Sequence, residues 1–214
     1  QDKTLSDWER IAELVCRCDP YRHLRSIHHC FHFYDFNRPW VTHCSIQRTN
    51  LYMSSELVNE WRERYRKPVV LDEIAYEGDI QHGWGNLTGE EMARRFWEAA
   101  VRGGYPGHSE TYRHPDGVLW WSHGGELHGE SPERIAFLAE VLAQVPGGAL
   151  NPYRSCAWDE VCAVPAAIGH EDELYLYYYS FMRPSFRDFK VNGPYRVTVL
   201  DTWNMTCEDR GVRE

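Results

Sequence analysis

The sequence predicts an α/β fold in which residues 1–147 form half of a (β/α)8 barrel and residues 148–214 begin an all-β unit. Three observations lead there. Helical and strand-like periodicities alternate through the first 147 residues with short connections, the pattern of parallel strands joined by helical crossovers. Polar and ring-bearing residues gather after the strands, on the side where barrel active sites lie. No Gly-x-Gly-x-x-Gly loop follows any strand, so an open dinucleotide-binding sheet would lack its phosphate cradle.

The elements follow in order. Leu5, Trp8, Ile11, Ala12 and Val15 recur at helical spacing over 4–18, and Asp19-Pro20 ends that helix. "HLRSIHH" is expected to be a short strand and "WVTHCSIQ" the next. Ser54 or Ser55 caps a helix through Tyr65 that sets Leu57, Val58, Trp61 and Tyr65 on one side. "KPVVLDE" is a third strand, apolar and β-branched behind Pro68. A Gly-rich loop leads to Thr88, which forms a capping box with Glu91 at the start of a helix running to about Arg102. "YPGHSET" is the fourth strand, "VLWWSHGGELHG" a loop, and Ser131-Pro132 opens a helix through Val145, with proline at the first helical position. After "PGGALNP" the runs "VCAVPAAIG", "ELYLYYYSF" and "PYRVTVLDTW" read as strands separated by turn residues. An unfinished small sheet leaves a pairing edge exposed, so the all-β unit is expected to be incomplete.

Composition removes several classes of function. A net charge of -9 argues against a nucleic-acid surface, which needs clustered Lys and Arg. No apolar run approaches the roughly 20 residues that span a bilayer. No basic-then-apolar leader opens "QDKTLSDWER", which reads like the interior of a protein, and the cytoplasm is the expected compartment. Seven Cys without paired spacing suggest free thiols. Nine Trp suit either a large core or a cleft that stacks on rings. Oligomeric state leaves no mark in the sequence.

The chemistry gathers at the strand ends. Val69, Leu71 and Glu73 share one side of their strand by alternation, which sets Glu73 at the inner rim, with Asp72 as an outward neighbour bonded to the backbone. His43, Ser45 and Gln47 form the polar side of the preceding strand. Ser26 and His28 share a side in the first strand, as His108 and Glu110 do in the fourth. A carboxylate ringed by imidazole, amide and indole groups suits attack on an anomeric carbon. Retaining glycosidases pair such a nucleophile with a protonated acid about 5 to 5.5 Å away. Glu73 is the candidate nucleophile, whereas Glu110, Glu77 and Asp35 are eligible as the acid by position only. His28, His43, Gln47, His108 and Glu110 are candidate substrate-binding groups. Trp120 and Trp121 form a candidate stacking platform, and Trp84 sits in a Gly78, Gly83 and Gly85 loop that could act as a lid.

The segments "DPYRHLRSIHHCFHFYDFNRPWVTHCSIQ", "KPVVLDEIAYEGDIQHGWGNLTGEEMARRFWEAAVRGGYPGHSETY" and "VLWWSHGGELHGESPERIAFL" together resemble the bacterial apiosidase-like glycoside hydrolases over about residues 1–147. The resemblance implies strands five to eight of the barrel, with Glu73 in "LDE" at the nucleophile position. It implies an acid/base in an Asn-Glu motif after strand four. No such motif precedes Thr4, so the acid/base is expected upstream of residue 1 and the isolated chain to be inactive without it. It also implies that residues 148–214 begin a β-rich accessory domain, and that the substrate is an oligosaccharide or glycoside with no cofactor and no metal.

Two alternatives stay open. Eleven His, with His28, His29, His43 and His108 near strand ends beside Asp72 and Glu73, could build a metal-dependent hydrolase, although no His-x-His pair ends a strand. A carbohydrate-binding remnant that keeps the cleft without the acid is the second.

Overall fold

The computed structural model describes residues 3–28, 34–48, 54–113, 115–117, 126–145, 151–152, 166–170, 173–180 and 192–214. Helix α1 spans Leu5–Cys18 and starts at Thr4, whose hydroxyl accepts from the Asp7 amide while the Asp7 carboxylate accepts from the Thr4 amide. Its attachment is polar. Glu9 accepts from Tyr34 Oη at 2.9 Å and Trp40 Nε1 at 3.2 Å, and only Ala12 is buried. Leu5, Ile11, Leu14 and Val15 are exposed.

Strand β1 is Cys44–Gln47, helix α2 is Val58–Tyr65 behind a 3-10 turn at Ser55–Leu57, and β2 is Val69–Glu73. Arg66 ends α2 in the left-handed region. Helix α3, Gly89–Ala100, begins at Thr88, which accepts from the Glu91 amide at 3.2 Å. The Glu91 carboxylate turns instead to Arg94 and Arg95. Helix α4 is Ser131–Ala143, with Pro132 in its first turn.

The parallel sheet has the order β1-β2-β4, where β4 is Gly104–Pro106. Cys44, Ile46, Val69 and Leu71 are fully buried beneath Val58 and Trp61 of α2 and Met92, Phe96 and Trp97 of α3. Gly104 lets strand and helices meet, because a Cβ there would lie 3.0 Å from the Val58 methyls and 3.2 Å from the Ala99 carbonyl. The other face carries Ser45, Val70 and Tyr105, aligned across the three strands.

The expected half of a (β/α)8 barrel is not what forms: the described residues make several small sheets with no barrel closure. Two features account for this. The expected "HLRSIHH" strand is irregular over 23–28 and meets residues 42–43 by one backbone bond, Thr42 N to Arg25 O at 2.8 Å, and by side chains, as when Arg25 N donates to Thr42 Oγ1 at 2.7 Å and Ser26 Oγ to the His43 carbonyl at 2.5 Å. The expected "YPGHSET" strand divides at Gly107. Its first part is β4, and its second, β5 (Glu110–Thr111), pairs in parallel with β3 (Glu77–Gly78) as a separate two-stranded sheet.

Beyond α4, β6 (Asn151–Pro152), β7 (Ala166–His170) and β8 (Leu174–Tyr178) form an antiparallel sheet in sequence order. Tyr178 stacks on Trp97 of α3, with ring centroids 5.8 Å apart. A hairpin follows, β9 (Tyr195–Asp201) and β10 (Thr206–Arg213), the last of which the sequence reading did not include. Its turn rests on α4, where the Arg134 guanidinium lies 4.4 Å over the Trp203 ring. Cys16, Cys18, Cys44 and Cys207 are free thiols. No helix of the described residues is long and apolar enough to cross a membrane.

Candidate active site

Glu73 ends β2, and a register shift decides where it points. Ile46 of β1 aligns with Leu71, but Gln47 aligns with Glu73, so Asp72 is one residue more than β1 matches. A bulge of this kind re-aims the side chains around it. Glu73 therefore does not follow Val69 and Leu71, which lie under the helices, as alternation implied. It joins Asp72 on the side of Ser45 and Gln47, where both acids meet His28.

His28 is the hub. Its Nδ1 lies 3.0 Å from Asp72 Oδ2 and 3.2 Å from Ser45 Oγ, and its Nε2 lies 2.9 Å from Gln47 Oε1 and 3.3 Å from Glu73 Oε1. The Ser45 hydroxyl donates to Asp72. Gln47 Nε2 donates to Glu73 Oε2 at 2.8 Å, and the Tyr76 hydroxyl donates to the same oxygen. Because both ring nitrogens of His28 face acceptors, the imidazolium is the form that fits. Burial disfavours that charge, but hydrogen bonds to Asp72 and Gln47 and the charges of Asp72 and Glu73 outweigh it and raise the His28 pKa. Burial, then the Glu73 contact, raises the Tyr76 phenol, which stays a donor.

Tyr76 and the Asp72–Ser45 contact are members that sequence reading missed. Asp72 turns to Ser45 and His28, and among the described residues it makes no outward bond to the backbone. Tyr76 comes back to Glu73 across Ala75, whose φ of +73° lies in the left-handed region. The available signal was a phenol three residues beyond the strand-end acid in "EIAY".

Trp84 joins this group at one remove. Its ring meets Tyr76 edge-on at 5.6 Å and stacks on His82 at 5.9 Å and 7°. Its loop is fastened: Tyr76 N donates to Trp84 O at 2.8 Å, Leu87 N to Tyr76 O at 3.0 Å, and Thr111 Oγ1 to Gly85 O at 2.5 Å. Gly78 and Gly85 serve close packing, since a Cβ on either would overlap Thr111 Oγ1 or the Ile80 side chain. Gly83 alone of the three has open space. The ring of His43 contacts the Thr42 hydroxyl at 3.1 Å, with no contact to Glu73 among the described residues. Trp120 and Trp121 lie outside the described residues, as does His29.

His108 and Glu110 belong to a second cluster built around Glu77, which is fully buried at the start of β3. Glu77 Oε1 accepts from Tyr112 Oη at 3.1 Å and Glu130 N at 2.6 Å. Its Oε2 accepts from Ser131 N at 3.1 Å and Ser131 Oγ at 2.5 Å. Glu110 accepts from the amides of His128 at 2.7 Å and Gly129 at 3.0 Å. The Ser131 hydroxyl proton is committed to Glu77, so His108 Nε2, 3.1 Å from Ser131 Oγ, is the donor of that pair. Burial lowers the His108 pKa, which agrees with a neutral ring.

Ligand atoms of Glu77, His108 and Glu110 lie within 4.8 Å of one another, a set of the kind that binds a divalent cation. Yet a carboxylate has about four lone-pair sites, and protein donors fill those of Glu77. Its position is that of an acid closing a helix N-terminus, while Glu110 accepts from the loop before α4 and His108 meets the first residue of that helix. Surface hollows along α1, lined by Lys3 and Arg10, and beside Arg62 and Tyr105 are not lined by Glu73.

Comparison with known proteins adds three findings. Residues 158–214 match the model of a family described as a domain of unknown function, DUF5605. No curated protein matches the sequence. The fold is similar to the crystal structure of a putative glycoside hydrolase from Bacteroides vulgatus ATCC 8482, with a TM-score of 0.78 and 29% identity, over 98% of this chain and 42% of that one. The chain thus spans less than half the length of that protein, and its relationship is with a glycoside-hydrolase-like structure.

Proposed function

We propose that this chain carries the nucleophile side of a glycoside hydrolase active site, of the apiosidase-like kind, with Glu73 as the nucleophile toward an oligosaccharide or glycoside. One observation carries this: a partly exposed carboxylate at a strand end, gripped by two donors on one oxygen and, among the described residues, approached on the other by His28 alone. Gln47 and Tyr76 occupy Glu73 Oε2. Among the described residues Oε1 meets only the His28 edge, at 3.3 Å, which leaves a lone pair on Oε1 for an anomeric carbon. As the glycosyl ester forms, the leaving group departs with the electron pair of the broken bond; as the ester breaks, His28 and Tyr76 stabilise the returning carboxylate, and Gln47 sets its plane. Trp84, 37% exposed beside Tyr76, offers a flat face to a sugar ring. The relationship to a putative glycoside hydrolase supports the same class. On this reading the acid/base comes from upstream of residue 1, as the sequence resemblance implies.

The test uses dinitrophenyl glycosides, whose leaving group departs without protonation. Glu73→Gln is expected to reduce turnover to background with an unchanged unfolding transition. Glu73→Ala with azide is expected to yield a glycosyl azide of inverted anomeric configuration. Normal turnover by Glu73→Gln would remove Glu73 from this role.

A further inference from the structure

We propose that Arg95 of α3 is a positioning residue for Glu73: its buried guanidinium holds the Ile74 carbonyl, and with it the left-handed turn at Ala75 that returns the Tyr76 hydroxyl to the Glu73 carboxylate. This role presupposes Glu73 as the nucleophile and adds to that site a residue that acts on the Glu73 carboxylate only through the turn.

Continued as a strand, the chain would carry residue 76 roughly 10 Å beyond residue 73. It folds back instead, and the fold-back occurs at Ala75, a residue with a Cβ at φ +73° and 2% exposure. L residues adopt that conformation only where their surroundings enforce it. On the far side of the turn, Tyr76 N donates to Trp84 O and Tyr76 O accepts from Leu87 N, at 2.8 and 3.0 Å. On the near side, Ile74 is fully buried, and its carbonyl accepts from Arg95 Nη1 at 2.5 Å.

Arg95 is itself fully buried, a costly place for a cation unless its partners are built in. Glu91, one turn earlier on α3, accepts from Arg95 Nε at 2.8 Å and is in turn held by Arg94 Nε at 2.7 Å and Nη2 at 2.9 Å. The helix therefore presents a neutralised, rigid arm to the turn. A planar guanidinium serves Glu91 and the Ile74 carbonyl from two different edges, which an ammonium on a flexible stem does less well. The sequence held a signal for this: Arg95 lies on the buried stripe of α3 with Met92 and Ala99.

The experiment compares wild type with Arg95→Lys and Arg95→Met, each alone and combined with Ala75→Gly, following the His28 ring by NMR titration alongside turnover of dinitrophenyl glycosides. Arg95→Met should free Tyr76 from Glu73. With one donor fewer on Glu73, the His28 midpoint should move up by about half a pH unit, and kcat should fall about 10- to 100-fold with KM little changed. Ala75→Gly, which makes the left-handed turn free of its Cβ cost, should restore most of both. Arg95→Lys should lie between, and it decides the matter if Arg95→Met does not fold. A variant with a lowered melting temperature but a wild-type His28 titration would reduce Arg95 to a structural prop and overturn the proposal, as would a titration shift that Ala75→Gly leaves untouched. Absence of wild-type turnover would count against Glu73 as nucleophile, while the titration would still decide the role of Arg95.

Discussion

Replacing Glu77 with Gln changes one oxygen to an NH2 group in a fully buried site, and the surroundings allow no orientation that suits it. Each Glu77 oxygen faces one backbone amide and one hydroxyl: Glu130 N with Tyr112 Oη, and Ser131 N with Ser131 Oγ. A hydroxyl can rotate and accept from the new NH2, but a backbone N–H cannot. Whichever way the Gln amide turns, one buried N–H at the start of α4 loses its acceptor, at about 1–3 kcal/mol. The remaining contacts lose their charge assistance as well, and the N-terminus of α4 loses its anion. Together these should destabilise the fold by about 3 kcal/mol, read from the urea midpoint followed by tryptophan fluorescence. The folded fraction should turn over dinitrophenyl glycosides as wild type does. A loss below about 1 kcal/mol would refute the capping role. An unchanged midpoint with abolished turnover would make Glu77 part of the chemistry instead.

Three further outcomes are expected. Gly129→Ala should destabilise the same junction, because its Cβ would overlap the Glu77 carboxylate; a wild-type melting temperature would contradict the packing. His28 has a raised pKa in the folded protein, so its contribution to stability is fully present below its ordinary value of 6.5 and is lost as pH rises through the folded-state value. The stability gap between wild type and His28→Gln should accordingly narrow from pH 6 toward pH 9, and a gap that widens would invalidate the ion-pair geometry. Gly78→Ala, whose Cβ would overlap Thr111 Oγ1, should loosen the junction of β3 and β5 and speed amide exchange at Gly78 and Leu87; unaltered exchange would show that the close approach is not needed.

Features encoded within a few residues were legible in advance. Pro68 followed by β-branched residues marks β2, Thr88 caps α3, and Ser131-Pro132 opens α4, because each depends on neighbours along the chain. Glu73, Gln47 and His28 were recognisable as candidates from residue type and strand-end position, and the structure brings these three together. His108 and Glu110 looked equivalent to them by the same criteria, and the structure sets them in a separate cluster, where His108 meets Ser131 Oγ and Glu110 accepts from the His128 and Gly129 amides. The distinction depends on Glu130 and Ser131, more than fifty residues beyond Glu77.

The sequence by itself determined the four helices and the strands β1 and β2, and that an acid would stand at the end of β2. Only the tertiary structure decided which way that acid faces, and whether the strands would close into a barrel. Alternation along a strand is a local property, whereas the extra residue at Asp72 is defined only against β1, and β5 had a choice of partners that its two residues could not express. Register and pairing are properties of two segments at once, so a reading of one segment at a time does not contain them.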